Sequence, residues 1–401
     1  MTNIHQHTNR HFFATCKFNK PLACGKQAGF SLIELMIAIV IGLIILAALS
    51  SLYLNITRAN TEMAKTNMQI ENGRFAMQIL QSDLVHAGFW GDYIPDFDNL
   101  TFTTIPTDAP SAVPSICATY NTTNWNSSYK TNLVGIPVQV YDAVPSGCST
   151  VVANKKANTN VLLVRHANTC VAGVGACEAD IAGKLYFQAS DCLAPLPASL
   201  TPDAAAYTLS DTGFGLLHKK NCVTAVTDKR KFVSNIYYIR DYASTVGDDI
   251  PTLVRSKFDL ASGTLAHQAP EALIEGIEGF AIELGIDDKS DSGAAVNYAQ
   301  AVTWANNTNL TSPTNRGDGS PDGNFVACTA ATPCTVAQLS NVVAVKLYVL
   351  ARTLETSQGF IDTKTYTLGS TTLGPFNDAY KRHVFSTTVR LVNISTRRET
   401  P

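Results

Sequence analysis

No aspartate or glutamate occurs in residues 1–29, and no charge of either sign falls between Leu35 and Leu54. The first absence leaves Arg10, Lys17, Lys20 and Lys26 unopposed, so the positive-inside rule keeps this end in the cytoplasm and sends the bulk of the chain outward. The second leaves twenty residues, thirteen of them Leu, Ile, Val or Met, and a helix of that length spans the ~30 Å hydrocarbon core at ~1.5 Å per residue. Also missing are a Gly-x-Ser-x-Gly elbow, a His-Glu-x-x-His pair and a phosphate-binding Gly-rich loop ahead of a helix. Without them no enzyme is expected, and no cofactor. His86, His166, His218, His267 and His383 are scattered, and no Cys-x-x-Cys knuckle occurs, so no metal site is expected either. Nor is there an internal repeat.

What is present begins with ten cysteines. Cys16 and Cys24 precede the apolar run, and Cys117, Cys148, Cys170, Cys177, Cys192, Cys222, Cys328 and Cys334 follow it. On the outward side of a membrane an even eight reads as a disulfide set, and eight cysteines allow 105 connectivities. Local pairing is the simplest: 170 with 177, 328 with 334, and the intervals 117–148 and 192–222 each as a stapled loop. Beyond residue 29 the chain carries 26 basic and 32 acidic residues, a balance that argues against a nucleic-acid partner.

The apolar run opens on an acid, Glu34. One carboxylate at about 3 kcal/mol is tolerable beside thirteen apolar residues at roughly −0.5 kcal/mol each. An intramembrane acid nevertheless calls for a partner, and none lies inside the run. A plain anchor, or a secretory signal cut near Ala48-Leu49-Ser50, leaves the acid unexplained, and the run exceeds the usual ~7–15 residues of a signal's apolar region.

After the run a helical pattern continues. Ile56, Met63, Ile70, Met77 and Leu84 recur every seven residues, with Ala59, Thr66, Gly73 and Leu80 three further on. This predicts an amphipathic helix from about Asn55 to Ala87, ended by Gly88 and packed on the chain's own head rather than in a coiled coil. Together the two halves make one helix of about 80 Å at 1.5 Å per residue. Period two then takes over in "GIPVQVYDAV", "NVLLVRHA", "GKLYFQAS", "KFVSNIYYIRDY", "TLVRSKFDL", "VVAVKLYVLAR" and "HVFSTTVRLVNI", the pattern of antiparallel strands. The last puts Phe385, Val389 and Leu391 on one face and Arg382 and Arg390 on the other, as a half-solvated strand would. "PEALIEGIEGFAIELGID" is expected to start as a helical turn and finish as a strand. Residues 105–132 and 300–335 read as loops by composition. The acidic stretches from Asp287 and from Asn315 lack EF-hand spacing and read as solvated turns, and the Arg316-Gly317-Asp318 triplet is too short to mark an adhesion site.

Gly29 followed by Phe30-Ser31-Leu32-Ile33-Glu34-Leu35-Met36 resembles the type IV prepilin cleavage and methylation motif. "ENGRFAMQILQSDLVHAGFWG", "LIEGIEGFAIELGID" and "YKRHVFSTTVRLVNI" resemble the PilW family of minor type IV pilins. The resemblance implies that a prepilin peptidase cuts between Gly29 and Phe30 and methylates the amine of Phe30. It also implies that Glu34 meets the N-terminal amine of a neighbouring subunit. The implied fold is α+β and pilin-like, a long N-terminal helix packed against a C-terminal antiparallel sheet head. Its parts are a leader (1–29), a transmembrane and filament-core half of the helix (30–54), an amphipathic half (55–88) and a disulfide-braced periplasmic head (89–401). The implied role is pilus assembly in an inner-membrane priming or tip complex, with the major pilin and other minor pilins as partners. A minor pseudopilin of a type II secretion system shares the plan, and a tip adhesin or DNA-uptake module is the alternative of another class.

Overall fold

The structure, a computed structural model, describes residues 29–399 apart from 195 and 224. The expected leader, with Cys16 and Cys24, lies outside the described residues except for Gly29. One helix, α1 (Leu32–His86), runs for 55 residues, and within it the chain divides into two units, Met1–Asn60 and Thr61–Pro401.

In the first unit every described residue is exposed. Among the described residues α1 alone is long and apolar enough to cross a membrane.

In the second unit the seven-residue pattern needs correction. The buried face of α1 is Gln69, Gly73, Ala76, Met77, Leu80 and Leu84, whereas Met63 is 63% and Ile70 37% exposed. A straight helix drifts away from a strict seven-residue repeat, and burial here follows the helix geometry only from Gln69 onward. Gly73, a weak seam residue by sequence, is a close-approach point. A Cβ there would lie 2.1 Å from the Phe385 ring, so the missing side chain is what lets the ring rest on the helix backbone. The helix stops at His86, and the Gly88 N–H bonds to the Arg165 carbonyl at 3.1 Å.

The head is built from two antiparallel sheets. The larger contains β1 (Val138–Tyr141), β2 (Val161–Val171), β3 (Tyr186–Ala189), β4 (Tyr207–Ser210), β5 (Lys229–Arg240), β6 (Thr252–Ala261), β7 (Thr264–His267) and β8 (Glu271–Glu275). Its path is β1-β2-β5-β3-β4, and β6 lies beside β5 and carries β7 and β8. The smaller orders β15 (Arg382–Arg390), β12 (Val342–Arg352) and β9 (Ile277–Ile286). Two hairpins, β10 (Trp304–Asn306) with β11 (Thr311–Pro313) and β13 (Tyr366–Leu368) with β14 (Thr371–Leu373), complete the strands. Short helices α2 (Ser127–Gly135), α3 (Val336–Ser340) and α4 (Val392–Arg398) fill the connections. The α+β class follows directly from these elements.

The segment expected to open as a helical turn is two strands, β8 and β9, broken at Gly276. β8 pairs with β6 in the larger sheet and β9 with β12 in the smaller, so the chain changes sheets there and its period is mixed. Gly276 has φ +77° and passes the Arg352 carbonyl so closely that a Cβ would sit at 2.9 Å. The stretch 105–132 is also less loop-like than its composition. It leads into α2, capped by the Asn126 side chain, and buries Ile116, Tyr120 and Trp125. Residues 300–335 hold the β10–β11 hairpin.

The main core joins both sheets to the helix: Ala76, Leu80 and Leu84 pack with Val138, Leu162, Tyr237, Phe280 and Leu347. A second, aromatic core gathers Trp90, Trp125, Phe187, Phe232 and Phe258. Each such side chain contributes roughly 1.5–3 kcal/mol by leaving water. The Trp90 indole N–H is satisfied by the Val134 carbonyl at 3.1 Å.

Candidate functional site

The motif residues lie at the start of α1. Gly29 and Phe30 precede the helix, and Phe30 is 88% exposed. Ser31 and Glu34 then form a reciprocal pair. The Ser31 N–H donates to Glu34 Oε2 at 2.9 Å, and the Glu34 N–H donates to Ser31 Oγ at 3.3 Å. This is a capping box, which satisfies two backbone donors that a helix start leaves open. Sequence reasoning missed Ser31, although Ser-x-x-Glu before an apolar run is its signature. The acid therefore has a local partner for one oxygen. The other, Oε1, accepts nothing from the described residues.

The remaining polar groups of this stretch close on themselves. Ser50, Ser51 and Thr57 donate back to the carbonyls of Leu46, Ala48 and Tyr53 at 2.8–2.9 Å. Hydroxyls satisfied within their own helix suit an apolar medium.

In the head the helix is fastened by ions rather than by apolar contact alone. Asp83 accepts from His166 Nε2 at 3.0 Å, Asn235 Nδ2 at 2.9 Å and the Tyr237 hydroxyl at 3.0 Å. One turn-facing carboxylate thus locks α1 to β2 and β5. Glu62 accepts from Lys381 and from Ser357, each at 2.6 Å, and these bonds hold its carboxyl down at about 2. Lys65 donates to the Thr356 carbonyl at 2.8 Å.

Two buried guanidiniums knit the far end of the chain. Arg382, expected on a solvated face, has a fully buried side chain and meets Glu278, Asp362 and Asp378 at 2.5–2.9 Å. Arg390, on the same alternation, is exposed as expected. Arg398 on α4 pairs with Asp98 at 2.7 Å and Asp287 at 3.2 Å. Asp287 is therefore no solvated turn: it is fully buried and accepts the N–H groups of Asp318 and Gly319. Asn315 and Arg316 are buried too, the latter against the Tyr298 ring, so the Arg-Gly-Asp triplet is folded inward. Glu278 lies 104 residues from Arg382 and leaves no local pattern, which is why this arginine reads as surface.

The eight cysteines form four bonds: Cys117–Cys148, Cys170–Cys177, Cys192–Cys222 and Cys328–Cys334. No group of three metal-ligating side chains occurs among the described residues. His267 is buried between Ser234 and Ser256, and burial, with Arg165 nearby, pushes it down to about 3.

Comparison with known proteins bears on both ends of this arrangement. Residues 24–50 match the prokaryotic N-terminal methylation motif. Residues 236–393, from the second half of β5 into α4, match the type IV pilus-assembly protein W family, PilW. The chain is therefore similar to type IV pilin-like proteins, and to PilW over residues 236–393. It takes part in pilus assembly, and its apolar helix and methylation motif fit a membrane-anchored pilin. The PilW region includes the Arg382 cluster and all three strands of the smaller sheet. Among solved structures, a type IV-like pilin from Thermus thermophilus is similar at 11% identity and a TM-score of 0.29, covering 81% of this chain and 97% of that one. No curated protein matches.

Proposed function

We propose that this chain is a PilW-family minor pilin that acts in an inner-membrane priming or tip complex, its head on the periplasmic side. A prepilin peptidase cleaves after Gly29 and methylates Phe30, and other minor pilins and the major pilin are its partners. Its role is structural rather than enzymatic. The observation that carries the reading is the start of α1: a capped carboxylate with one oxygen open, heading an exposed apolar helix. Ser31 holds Glu34 by one oxygen, which leaves Oε1 to take a neighbour's N-terminal ammonium as subunits gather side by side in lipid. Two charges that meet there offset each other's desolvation, and loss of one strands the other. Helices assembled in this way lower the barrier to starting a filament.

The test is surface pilus yield in an in-frame deletion, with the retraction motor intact and disabled. Pili that fall sharply with retraction intact and recover when it is disabled support priming. Unchanged yield in both backgrounds overturns it.

A further inference from the structure

The free edge of β1 lies at the bottom of an apolar cleft of about 580 Å³. Val113–Ile116 form one wall, Ala330, Pro333 and the Cys328–Cys334 bridge the other, and Val140–Pro145 the floor. The two walls belong to opposite faces of β1. Gln139 reaches the Pro114 carbonyl on one side, while Val140 packs in the main core with Cys328 and Leu339 on the other.

The floor has unmet hydrogen-bonding capacity. The Arg165 N–H bonds to the Pro137 carbonyl, and the register pairs Val138 with Val164 and Val140 with Leu162. In an antiparallel ladder hydrogen-bonded and non-hydrogen-bonded pairs alternate, so the N–H and C=O of Val138 and Val140 point away from β2. No strand covers that edge, and neither residue has another backbone partner among the described residues. Both residues are buried, at 1% and 4% exposure. Another edge strand of the head, β15, differs. Its outward-pointing positions Ser386, Thr388 and Arg390 are exposed, where water serves the backbone. A strand edge that its own sheet leaves unpaired between apolar walls favours a partner strand that can meet it.

Both walls are held in place beforehand. Cys117–Cys148 closes the chain that carries Ala143–Gly147, and the Ala330 N–H donates to Asp142 Oδ1 at 2.8 Å, tying the second wall to the floor. Asp142 is the sole charged residue lining the cleft among the described residues. Lys155 donates to its backbone carbonyl, and Oδ2 accepts nothing from the described residues.

We propose that this cleft docks an extended apolar segment of another protein subunit, with a lysine or arginine of that segment beside Asp142. Apolar walls take alternate side chains, the Val140 amide edge takes the segment's backbone, and the carboxylate takes its positive end. The inference does not depend on Glu34 or on priming.

The test places a photo-crosslinking amino acid at Val144, 41% exposed on the cleft wall, and another at Ser386 on β15, in the full chain in its native membrane. The adduct from Val144 is mapped by mass spectrometry. A segment of alternating apolar residues with a basic residue at one end, absent from the Ser386 adducts, is the expected result. Asp142→Asn keeps the Ala330 bond and removes the charge, and lowers the yield roughly three- to tenfold. With the crosslinker moved to Ala143, Val144→Asp lowers it by more than tenfold while all four disulfides still form. A lipid adduct, an adduct to a helix, or a yield indifferent to both substitutions overturns the proposal.

Discussion

Residues 29–60 and 61–399 treat charge in opposite ways. The first stretch carries a carboxylate, Glu34, whose local partner uses one oxygen and leaves the other open, on a part of α1 in which every described residue is exposed. The second supplies partners for its key charges from its own sequence: the half-buried Asp83 with three donors, the buried Arg382 with three carboxylates and the buried Arg398 with two. A group completed from within makes a body that stands alone, and a group left half complete makes a place for another molecule. The head is thus built to be rigid and the helix start to be joined.

The sharpest way to break this contrast is at the helix start. Gly29→Ala is expected to leave the precursor uncut, so an immunoblot showing the mature size in that variant contradicts the cleavage assignment. Glu34→Ala should insert and be cut normally yet be lost from co-purified complexes. Because the substitution also removes half the capping box, Ser31→Ala is the control. It costs the helix start about 1 kcal/mol but keeps the carboxylate, and it should retain most incorporation. Equal loss in both variants would mean that capping, rather than the open oxygen, is what assembly requires.

In the head the largest effect is expected at Arg382. Arg382→Met leaves the buried Asp362 without its cation and Glu278 with only the longer contacts to Lys156 and Arg352 at 3.8 and 3.9 Å, and breaking a buried ion cluster by removing one member costs roughly 3–5 kcal/mol. Chemical unfolding of the full chain in detergent, followed by Trp90 and Trp125 fluorescence, measures it. A loss below about 1 kcal/mol would place the cluster with surface pairs. Next come the disulfides. Replacing Cys117 and Cys148 by serine, across a separation of 31, should cost more than replacing Cys170 and Cys177, across 7: about 3.5 against about 2.5 kcal/mol if loop entropy dominates. A reversed order would point to contacts rather than chain entropy.

Legibility follows the same divide. The membrane-length run and its acid stand out because a bilayer imposes one simple demand on twenty consecutive residues. Strands such as β5 and β12 were legible through alternation, and the cysteines through their spacing. Gly73, Asp83 and Arg382 were not, since what each one touches (Phe385, β2 and β5, Glu278) lies far along the chain. Composition misled at Asp287 and Arg316 for a related reason: a turn rich in Asp, Gly and Asn looks solvated until a distant arginine such as Arg398 folds onto it. The β8–β9 break at Gly276 was ambiguous because one segment serves two sheets.

The smallest effect expected is one of pH, and it separates the two stretches again, because it belongs to the head alone. His267 is held neutral by burial, its value pushed down from 6.5 to about 3. In the unfolded chain it takes up a proton below 6.5, so the unfolded state binds more protons than the folded one as the medium is acidified. The stability this group contributes is complete above pH 6.5 and declines as pH falls toward 3, at up to about 1.4 kcal/mol per pH unit. Between pH 7 and 5 the head should lose about 2 kcal/mol on this account. His267→Gln keeps polar contacts with Ser234 and Ser256 within reach and removes the titration, so its unfolding midpoint should change less over that interval than the parent's. An identical decline in both proteins would assign the acid sensitivity to the carboxylates of the Arg382 and Arg398 clusters.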